Sequence, residues 1–217
     1  MGTIASQSEE DVRKLFSDLA IYSDEDAIVG KRVEAMQTRG MALESSDGLT
    51  LCKECIFDDL RVQHILGSLF PWVGCGIYEV YKKPKQETVY AFMTGKEPFS
   101  AIVIQLWSPN SKVVFFKGSQ LLPIEGYGIS IGLLELPLAP LNQAGCESIT
   151  FEMKQGGLVI FDARIAFRIE EGFAIHAVFA TREELRTWPK KIFPKDNNLE
   201  KQAKDMESPL MGLNFQF

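Results

Sequence analysis

Histidine is nearly absent from this chain: among its 217 residues only His64 and His176 occur. His64 is followed by Ile65 and Leu66, and no His-x-Asp/Glu pair exists anywhere in the sequence. The sequence therefore contains no local signal for a histidine-based metal site. Nor does it contain one for a Ser-His-Asp or Cys-His catalytic grouping, whose members can be distant in sequence and still meet in the fold.

Cysteine is also scarce, with only Cys52, Cys55, Cys75 and Cys146. Four cysteines are too few for a disulfide scaffold, and no Asn-x-Ser/Thr site occurs, so a reducing compartment is expected. Cys52 and Cys55 have the C-x-x-C spacing of a redox or zinc pair. Zinc needs a second pair of ligands, however, and neither Cys75 nor Cys146 has one beside it. The simpler interpretation is two ordinary cysteines in a strand or loop.

The chain also lacks a long apolar run and a basic stripe. Its 23 basic and 29 acidic residues give a net charge of −6, and the basic residues are scattered. This pattern argues against nucleic acid and anionic membrane as partners. No stretch approaches the ~20 apolar residues of a membrane span, and the first apolar stretch follows the polar residues 6–11, which predicts no signal peptide. We therefore expect a soluble, cytoplasmic protein.

What the chain does have is many short runs of β-branched and aromatic residues, separated by turn residues from about residue 48 onward. Eight or nine such runs favour a mainly β fold, a sandwich or barrel of the jelly-roll type. The alternative is an α+β cone, in which N-terminal helices cover one curved sheet. The expected strands are 48–58, 75–82, 87–94, 99–107, 112–117, 128–136, 147–153, 157–169 and 172–180.

Helices are expected before and between the first strands. Ser8 can cap a first helix, and Ser23 or Asp24 can cap a second one that ends near Gly40. A third, short helix is expected over residues 60–70, where apolar residues recur at helical spacing.

A further helix is expected after the last strand, because residues 181–184 (TREE) form a capping box. The sequence then divides into an N-terminal helical segment (1–47), a β-barrel domain (48–194) and a C-terminal tail (195–217). The tail is charged before it turns apolar at residues 210–217. We expect a tethered segment that contributes to association more than to folding.

Two segments in the second half of the chain resemble a known family. Residues 106–120 (LWSPNSKVVFFKGSQ) resemble the strand, turn and P-G-S-H stretch of the phytanoyl-CoA dioxygenase-like group of iron and 2-oxoglutarate oxygenases. Residues 155–167 (QGGLVIFDARIAF) are similar to that group's G-D-L-hydrophobic-F-D-x-R-x-x-H strand, whose last histidine binds iron. This segment and residues 180–188 (ATREELRTW) also resemble a set of small fungal proteins. The likeness covers about residues 75–190 and implies a jelly-roll, or double-stranded β-helix, fold.

The resemblance also shows which functional residues are missing. An iron site of this type uses His-x-Asp/Glu and a distant histidine, which together occupy one face of the metal. The position of the distant histidine falls on Phe167, and His176 lies too far beyond it to be aligned by a gap. The arginine that pairs with 2-oxoglutarate in the family falls near residues 172–175 (GFAI), which offer no cation. The resemblance therefore implies an oxygenase fold without oxygenase chemistry, with no metal and no cofactor.

The residues around Phe167 alternate in a way that predicts where its side chain points. Phe161, Ala163, Ile165, Phe167 and Ile169 occupy every second position. Side chains with this period share one face of a strand, so these five should face the interior. Phe167 and Ile165 are therefore candidate ligand-binding residues.

Three polar or aromatic residues complete the candidate ligand-binding set. Gln105 stands two residues before Trp107, and a buried amide needs a partner, either a ligand carbonyl or, more simply, a backbone group. His176 is either a satisfied core histidine or a polar marker in a pocket. Arg164, on the other face from Phe167, is better explained by a structural ion pair than by an anion clamp.

These observations leave three hypotheses for function. The first, which we predict, is a non-catalytic barrel that binds an apolar small molecule or serves as the scaffold partner of an active homologue in a homo- or hetero-oligomer. The second is a metal-independent isomerase or cyclase of secondary metabolism, in which His176 moves a proton inside an apolar cavity. The third is a metal oxygenase with the unusual ligands Glu79, His176 and Asp162.

Overall fold

The computed structural model describes residues 4–82, 88–130 and 132–217, which form two six-stranded sheets that lie face to face. In spatial order, sheet A contains β1 (Ile21–Glu25), β9 (Gly157–Asp162), β4 (Ala101–Trp107), β11 (Phe173–Ala180), β2 (Val73–Lys82) and β13 (Met211–Leu213). Sheet B contains β6 (Tyr127–Ser130), β7 (Leu133–Leu136), β3 (Val89–Ala91), β10 (Ala166–Glu171), β5 (Ser111–Lys117) and β8 (Glu147–Met153). A small third sheet pairs β12 (Lys191–Ile192) with β14 (Phe215–Gln216).

This arrangement confirms the mainly β, jelly-roll prediction. The two sheets pack as a sandwich and, over the described residues, do not join into a closed barrel. The alternative α+β cone has a single curved sheet covered by helices, so the presence of a second six-stranded sheet excludes it.

Sheet A is buried on both faces, which explains why its central strands are apolar at nearly every position. On β11, Phe173, Ile175 and Phe179 face the helices, whereas Ala174 and Val178 face sheet B. The helix-facing cluster and the cluster between the sheets are therefore separate cores that share one sheet.

The helices lie on the outer faces of the sheets: most of them pack against sheet A, and the one that contains Leu141 packs against sheet B. They are α1 (Glu9–Asp18), α2 (Ala27–Thr38), α3 (Ser46–Cys52), α4 (Leu60–Leu69), α5 (Leu138–Gln143), α6 (Arg182–Leu185) and α7 (Asn197–Lys204). The expected helices after Ser8, over residues 60–70 and after Thr181 are confirmed. No helix in the described part of the chain is long and apolar enough to cross a membrane.

The expected cap of the second helix is wrong. Strand β1 occupies residues 21–25 and pairs with β9, so neither Ser23 nor Asp24 begins a helix. The cap is Asp26, whose carboxylate accepts hydrogen bonds from the backbone N–H groups of Ile28 and Val29. The pairing of residues 21–25 with a distant strand overrides the local signal.

The expected strand over residues 48–58 is also wrong, because α3 and a π-helical turn (Lys53–Phe57) occupy this range. The Ser45 hydroxyl accepts a hydrogen bond from the backbone N–H of Gly48 and starts the helix. Leu49, Cys52 and Ile56 are buried in the helix-facing core at a spacing of three and four residues. That spacing is helical, and it outweighs the high content of apolar residues on which the strand prediction rested.

Two expected strands are each divided by a turn. Residues 128–136 form β6 and β7, and residues 157–169 form β9 in sheet A and most of β10 in sheet B. In the second case the backbone N–H of Ile165 donates to the carbonyl of Asp162 and closes the turn between the sheets. The expected strand 87–94 is reduced to β3, and Glu87 lies outside the described residues.

The expectation of a tethered C-terminal tail is corrected by the structure. Strand β13 extends sheet A by pairing in parallel with residues 73–75 of β2, and β14 pairs with β12. Met211 and Phe215 are buried in the helix-facing core, together with Leu199 and Ala203 of α7. The apolar residues of the tail therefore have their partners within this chain.

Candidate functional site

The space between the two sheets is filled by an aromatic cluster centred on Phe167. The ring of Phe167 lies 5.5 Å from that of Phe161, 5.9 Å from that of Phe92 and 5.6 Å from the imidazole of His176, between ring centroids. Tyr81 packs on the imidazole at 4.5 Å. Phe167 therefore faces the interior as the alternation predicts, and it is surrounded by rings.

All five candidate ligand-binding residues are completely buried. Trp107, Ile165 and Phe167 belong to the cluster between the sheets, and Gln105 and His176 have 0% of their surface exposed. The structure thus brings the five into one interior region. Their role in ligand binding stays a prediction.

Gln105, Trp107 and His176 form a chain of hydrogen bonds across adjacent strands. Gln105 on β4 stands directly opposite His176 on β11. The indole N–H of Trp107 donates to Gln105 Oε1 at 3.0 Å, and Gln105 Nε2 lies 3.3 Å from His176 Nε2. The expectation that Gln105 pairs with a backbone group is wrong, because these two side chains occupy both ends of its amide.

His176 sits in surroundings that strongly favour its neutral form. Burial lowers the pKa of the imidazole from 6.5 to about 3, because the charged form would lose its hydration among aromatic rings. Its Nδ1 atom is buried and has no hydrogen-bond partner among the described residues. Glu79 stands opposite His176 on β2, but its carboxylate is held by Lys191.

A cavity of about 230 Å³, which we call the end cavity, adjoins the aromatic cluster. Phe92, Met93 and Ile77 belong both to the cavity wall and to the cluster between the sheets. The ring of Phe92 thus lines the cavity and also lies 5.6 Å from the imidazole of His176, between ring centroids. The wall includes the apolar residues Ile77, Phe92, Met93 and Trp188 and the carboxylates of Glu97 and Glu184.

Glu184 is held in the cavity wall by two neutral donors. The Ser100 hydroxyl donates to Glu184 Oε2 at 3.0 Å, and the indole N–H of Trp188 donates to Glu184 Oε1 at 2.9 Å. The capping box starting at Thr181 is only half formed, since the Glu184 side chain binds these groups while its backbone N–H donates to the Thr181 hydroxyl. Sequence reasoning identified Glu184 as a helix cap and missed its place in the cavity wall.

Phe92 and Trp188 were also missed as wall residues. Phe92 follows the short strand β3, and Trp188 follows α6, so no periodic pattern assigns either one to an interior face. The only signal that could have pointed to them is their size, since large aromatic side chains near strand ends are often buried.

Asp162 and Arg164 form a structural ion pair, as expected. The Arg164 guanidinium binds both carboxylate oxygens of Asp162, and its Nη1 donates to the backbone carbonyl of Glu97 at 3.1 Å. Arg164 also stacks over the ring of Phe99 at 5.5 Å. All three guanidinium nitrogens therefore have an acceptor within the chain, which argues against a role of Arg164 as an anion clamp.

The residues of this region do not fit the iron of related folds. In residues 4–82, 88–130 and 132–217 no group of three His, Cys, Asp or Glu side chains is placed to hold a metal ion. Asp162 is bound by Arg164 and Glu79 by Lys191, so two of the three unusual ligands considered from sequence are already paired with cations. The third, His176, is enclosed by aromatic rings.

The C-x-x-C pair has no exposed thiol. Cys52 lies in α3 and Cys55 in the π-helical turn, and both are buried. Burial raises the pKa of Cys55 to about 11 and that of Cys52 well above its usual range. A thiol that stays protonated is a poor nucleophile and a poor metal ligand, so the geometry favours a packing role.

Comparison with known protein families and with curated proteins finds no match for this chain. Solved structures, in contrast, include many with the same fold. The structure of EctD from S. alaskensis with bound Fe is similar with a TM-score of 0.56 and 12% identity, over 81% of this chain and 77% of that one. The non-heme alpha ketoglutarate dependent epimerase SnoN from nogalamycin biosynthesis is similar with a TM-score of 0.53 and 13% identity, over 79% and 82%.

A third similar structure is the non-heme monooxygenase ThoJ in complex with Ni, with a TM-score of 0.53 and 10% identity, over 90% of this chain and 95% of that one. At these identities the likeness concerns the fold alone. The two packed sheets, their strand order and these similarities together show that the chain has the jelly-roll fold of non-heme, 2-oxoglutarate-dependent oxygenases.

Proposed function

We propose that this chain is a non-catalytic small-molecule-binding protein built on the oxygenase jelly roll. It takes a small, mainly apolar ligand in the end cavity and uses neither iron nor 2-oxoglutarate. The observation that carries the proposal is the contrast between the two neighbouring spaces. The interior around Phe167 is packed with rings, whereas the end cavity beside it is open and lined largely by apolar side chains.

The absence of iron chemistry in this proposal rests on the residues that occupy the interior. A metal there would need two imidazoles and a carboxylate on one face, but Phe167 and Phe92 supply rings that cannot ligate. The neighbouring carboxylate of Asp162 is committed to Arg164.

The size of the end cavity supports a small ligand. Pockets for drug-sized molecules span roughly 300–1,000 Å³, so about 230 Å³ suits a compound with one or two rings. The exposed rim residue Thr187 gives the ligand a way in. A built cavity favours ligand binding over a purely structural role as scaffold partner of an active homologue.

The geometry gives less support to an isomerase or cyclase. A general base works best with a pKa near the working pH, whereas burial holds the pKa of His176 at about 3. Such a weakly basic imidazole would be a poor acceptor of a substrate proton at neutral pH.

The proposal also includes a cellular compartment and a type of metabolism. The cysteines are all free, which supports a reducing compartment such as the cytoplasm. SnoN takes part in nogalamycin biosynthesis, and together with the likeness to small fungal proteins this supports a place for this chain in fungal secondary metabolism.

Two measurements test the proposal. Calorimetry with manganese(II) and 2-oxoglutarate should show no binding of either compound, and micromolar affinity for both would overturn the non-catalytic assignment. Fluorescence of N-phenyl-1-naphthylamine, a neutral apolar probe, should increase and shift to shorter wavelength with the wild-type protein.

A variant pair locates the bound probe. Thr187→Trp should fill the cavity mouth and abolish the fluorescence increase. Thr38→Trp is the matched control, because Thr38 is also exposed and its hydroxyl also bonds a backbone carbonyl of its own helical turn. Equal probe binding by both variants would place the probe elsewhere and contradict the assignment of the cavity.

A further inference from the structure

The position of the proton on His176 follows from the hydrogen-bond chain that ends on it. The indole N–H of Trp107 can only donate, so the Gln105 atom it meets must be the carbonyl oxygen. The amide nitrogen of Gln105 then faces His176 Nε2 and donates to it. Nε2 therefore acts as the acceptor, and the single proton of the neutral ring is on Nδ1.

The resulting Nδ1–H group is a donor without an acceptor. It is buried, and no acceptor among the described residues lies within hydrogen-bond distance. The imidazole that carries it packs against the rings of Tyr81, Phe92 and Phe167. Unpaired donors of this kind are rare in folded proteins because desolvating them without a partner is unfavourable.

The end cavity is a space beside the aromatic cluster from which an acceptor could come. The ring of Phe92 forms part of its wall and contacts the imidazole of His176. A displacement of this ring would open the imidazole of His176 towards the cavity. Phe92 directly follows the three-residue strand β3, and its backbone N–H donates to the carbonyl of Ala163, so the displacement required is a rotation of the side chain alone.

We propose that His176 Nδ1–H is the polar recognition group of the end cavity and binds a neutral carbonyl oxygen, as in a ketone, ester or amide, on an otherwise apolar ligand. This inference rests on the proposed function, since it requires the cavity to be the ligand site. Phe92 acts as the movable partition that the carbonyl group passes.

The charges around the cavity favour a neutral acceptor over a carboxylate. Glu97 and Glu184 both line the cavity, and neither forms an ion pair with a described residue, so an anionic ligand would be repelled. At the inner end the surroundings of His176 are aromatic rings, which cannot stabilise a buried anion. A carbonyl group supplies the missing acceptor without a charge.

A matched pair of probes tests the inference. 2-Acetylnaphthalene has a carbonyl group, and 2-ethylnaphthalene has nearly the same shape without one. One hydrogen bond is expected to make the ketone bind the wild-type protein roughly threefold to tenfold more tightly. In His176→Phe the ratio of the two affinities should fall to about one.

The outcomes separate this inference from the proposed function. Equal affinity of the two probes for the wild type would overturn the role of His176 and leave the cavity assignment standing. Failure of both probes to bind would contradict the cavity assignment and this inference together.

Two measurements on the wild type avoid any dependence on how well the variant folds. The nitrogen-15 spectrum of His176 should show a neutral ring protonated at Nδ1, and a proton on Nε2 would overturn the inference. The infrared carbonyl stretch of bound 2-acetylnaphthalene should move to lower frequency than in an apolar solvent. An unshifted stretch would show that the carbonyl has no donor.

Discussion

The ring of Phe167 lies 5.6 Å from the imidazole of His176, and the two side chains meet across the sandwich from different sheets. Phe167 is on β10 of sheet B and His176 on β11 of sheet A. They are nine positions apart in sequence, and both side chains are completely buried. The contact therefore fills the space between the two sheets with aromatic side chains.

Phe167→His should not create an iron site. The imidazole would enter a region of aromatic rings where it has no partner, and an unpaired buried polar group costs roughly 1–3 kcal/mol. We expect lower stability in chemical unfolding and no iron binding in calorimetry. Tight iron binding by the variant would show that further ligands converge at this point.

Phe167→Ala should be severely destabilising. The ring is completely buried and contacts rings on both sheets, so its removal leaves a cavity that costs roughly 3–5 kcal/mol. Urea unfolding measures this directly. Leu121→Ala is the control, because Leu121 is 75% exposed and should change stability by less than about 0.5 kcal/mol. A loss below about 1 kcal/mol for Phe167→Ala would contradict the packed interior.

His176 should make the protein less stable as the pH falls below about 6.5. Its folded pKa of about 3 lies below the unfolded value of 6.5, so only the unfolded chain takes up the proton between these limits. The contribution of the neutral imidazole to the free energy of unfolding is therefore fully present above pH 6.5. It decreases by about 1.4 kcal/mol per pH unit as the pH falls towards 3.

Urea unfolding between pH 6 and pH 4 tests this dependence against His176→Phe, which lacks the titrating group. The wild type should lose stability more steeply than the variant over this range. Parallel curves for the two proteins would show that the imidazole becomes solvated and protonated without unfolding.

The partly buried cation Arg61 should contribute substantially to stability. Its side chain is 16% exposed and binds the carboxylates of Asp24, Asp26 and Asp59, which joins α4 to β1 and to the start of α2. Arg61→Ala should lower the free energy of unfolding by roughly 2–4 kcal/mol. The loss should be smaller than for a fully buried ion-pair network, because Asp24 is 43% exposed and solvent screens its charge.

The control for Arg61 is Arg39→Ala. Among the described residues Arg39 forms an ion pair with Asp47 alone, and both side chains are more than half exposed. This change should cost less than about 1 kcal/mol. Similar losses for the two variants in thermal unfolding would show that the Arg61 network is solvated and contributes little.

Truncation after Lys195 should destabilise the fold strongly. It removes α7, β13 and β14 and exposes the surfaces that Met211 and Phe215 cover. The lost burial of each of these two side chains should lower the free energy of unfolding by roughly 1.5–3 kcal/mol. We expect a fall in Tm of about 10 °C or more by calorimetry. Lys201→Ala, on the exposed face of α7, should leave Tm nearly unchanged. An unchanged Tm after truncation would restore the view of the tail as a tethered segment.

The sequence alone determined the class of fold and the direction of the key side chains. The alternation from Phe161 to Ile169 placed Phe167 in the interior although the chain changes sheets at Ile165, because both halves of the turn keep their apolar residues on the shared side. Local period is sufficient for such predictions, since a strand has only two faces.

Only the tertiary structure decided which residues meet. Residues 48–58 became helical because their apolar positions had to fit the outer face of sheet A, and the tail joined the core because β2 offered it an unpaired edge. The position of the proton on His176 likewise depends on Gln105, which is oriented by Trp107 and reaches the imidazole only when β4 and β11 pair in one register. Sequence patterns report the local preference of the chain, whereas these contacts depend on distant segments that are brought together only by folding.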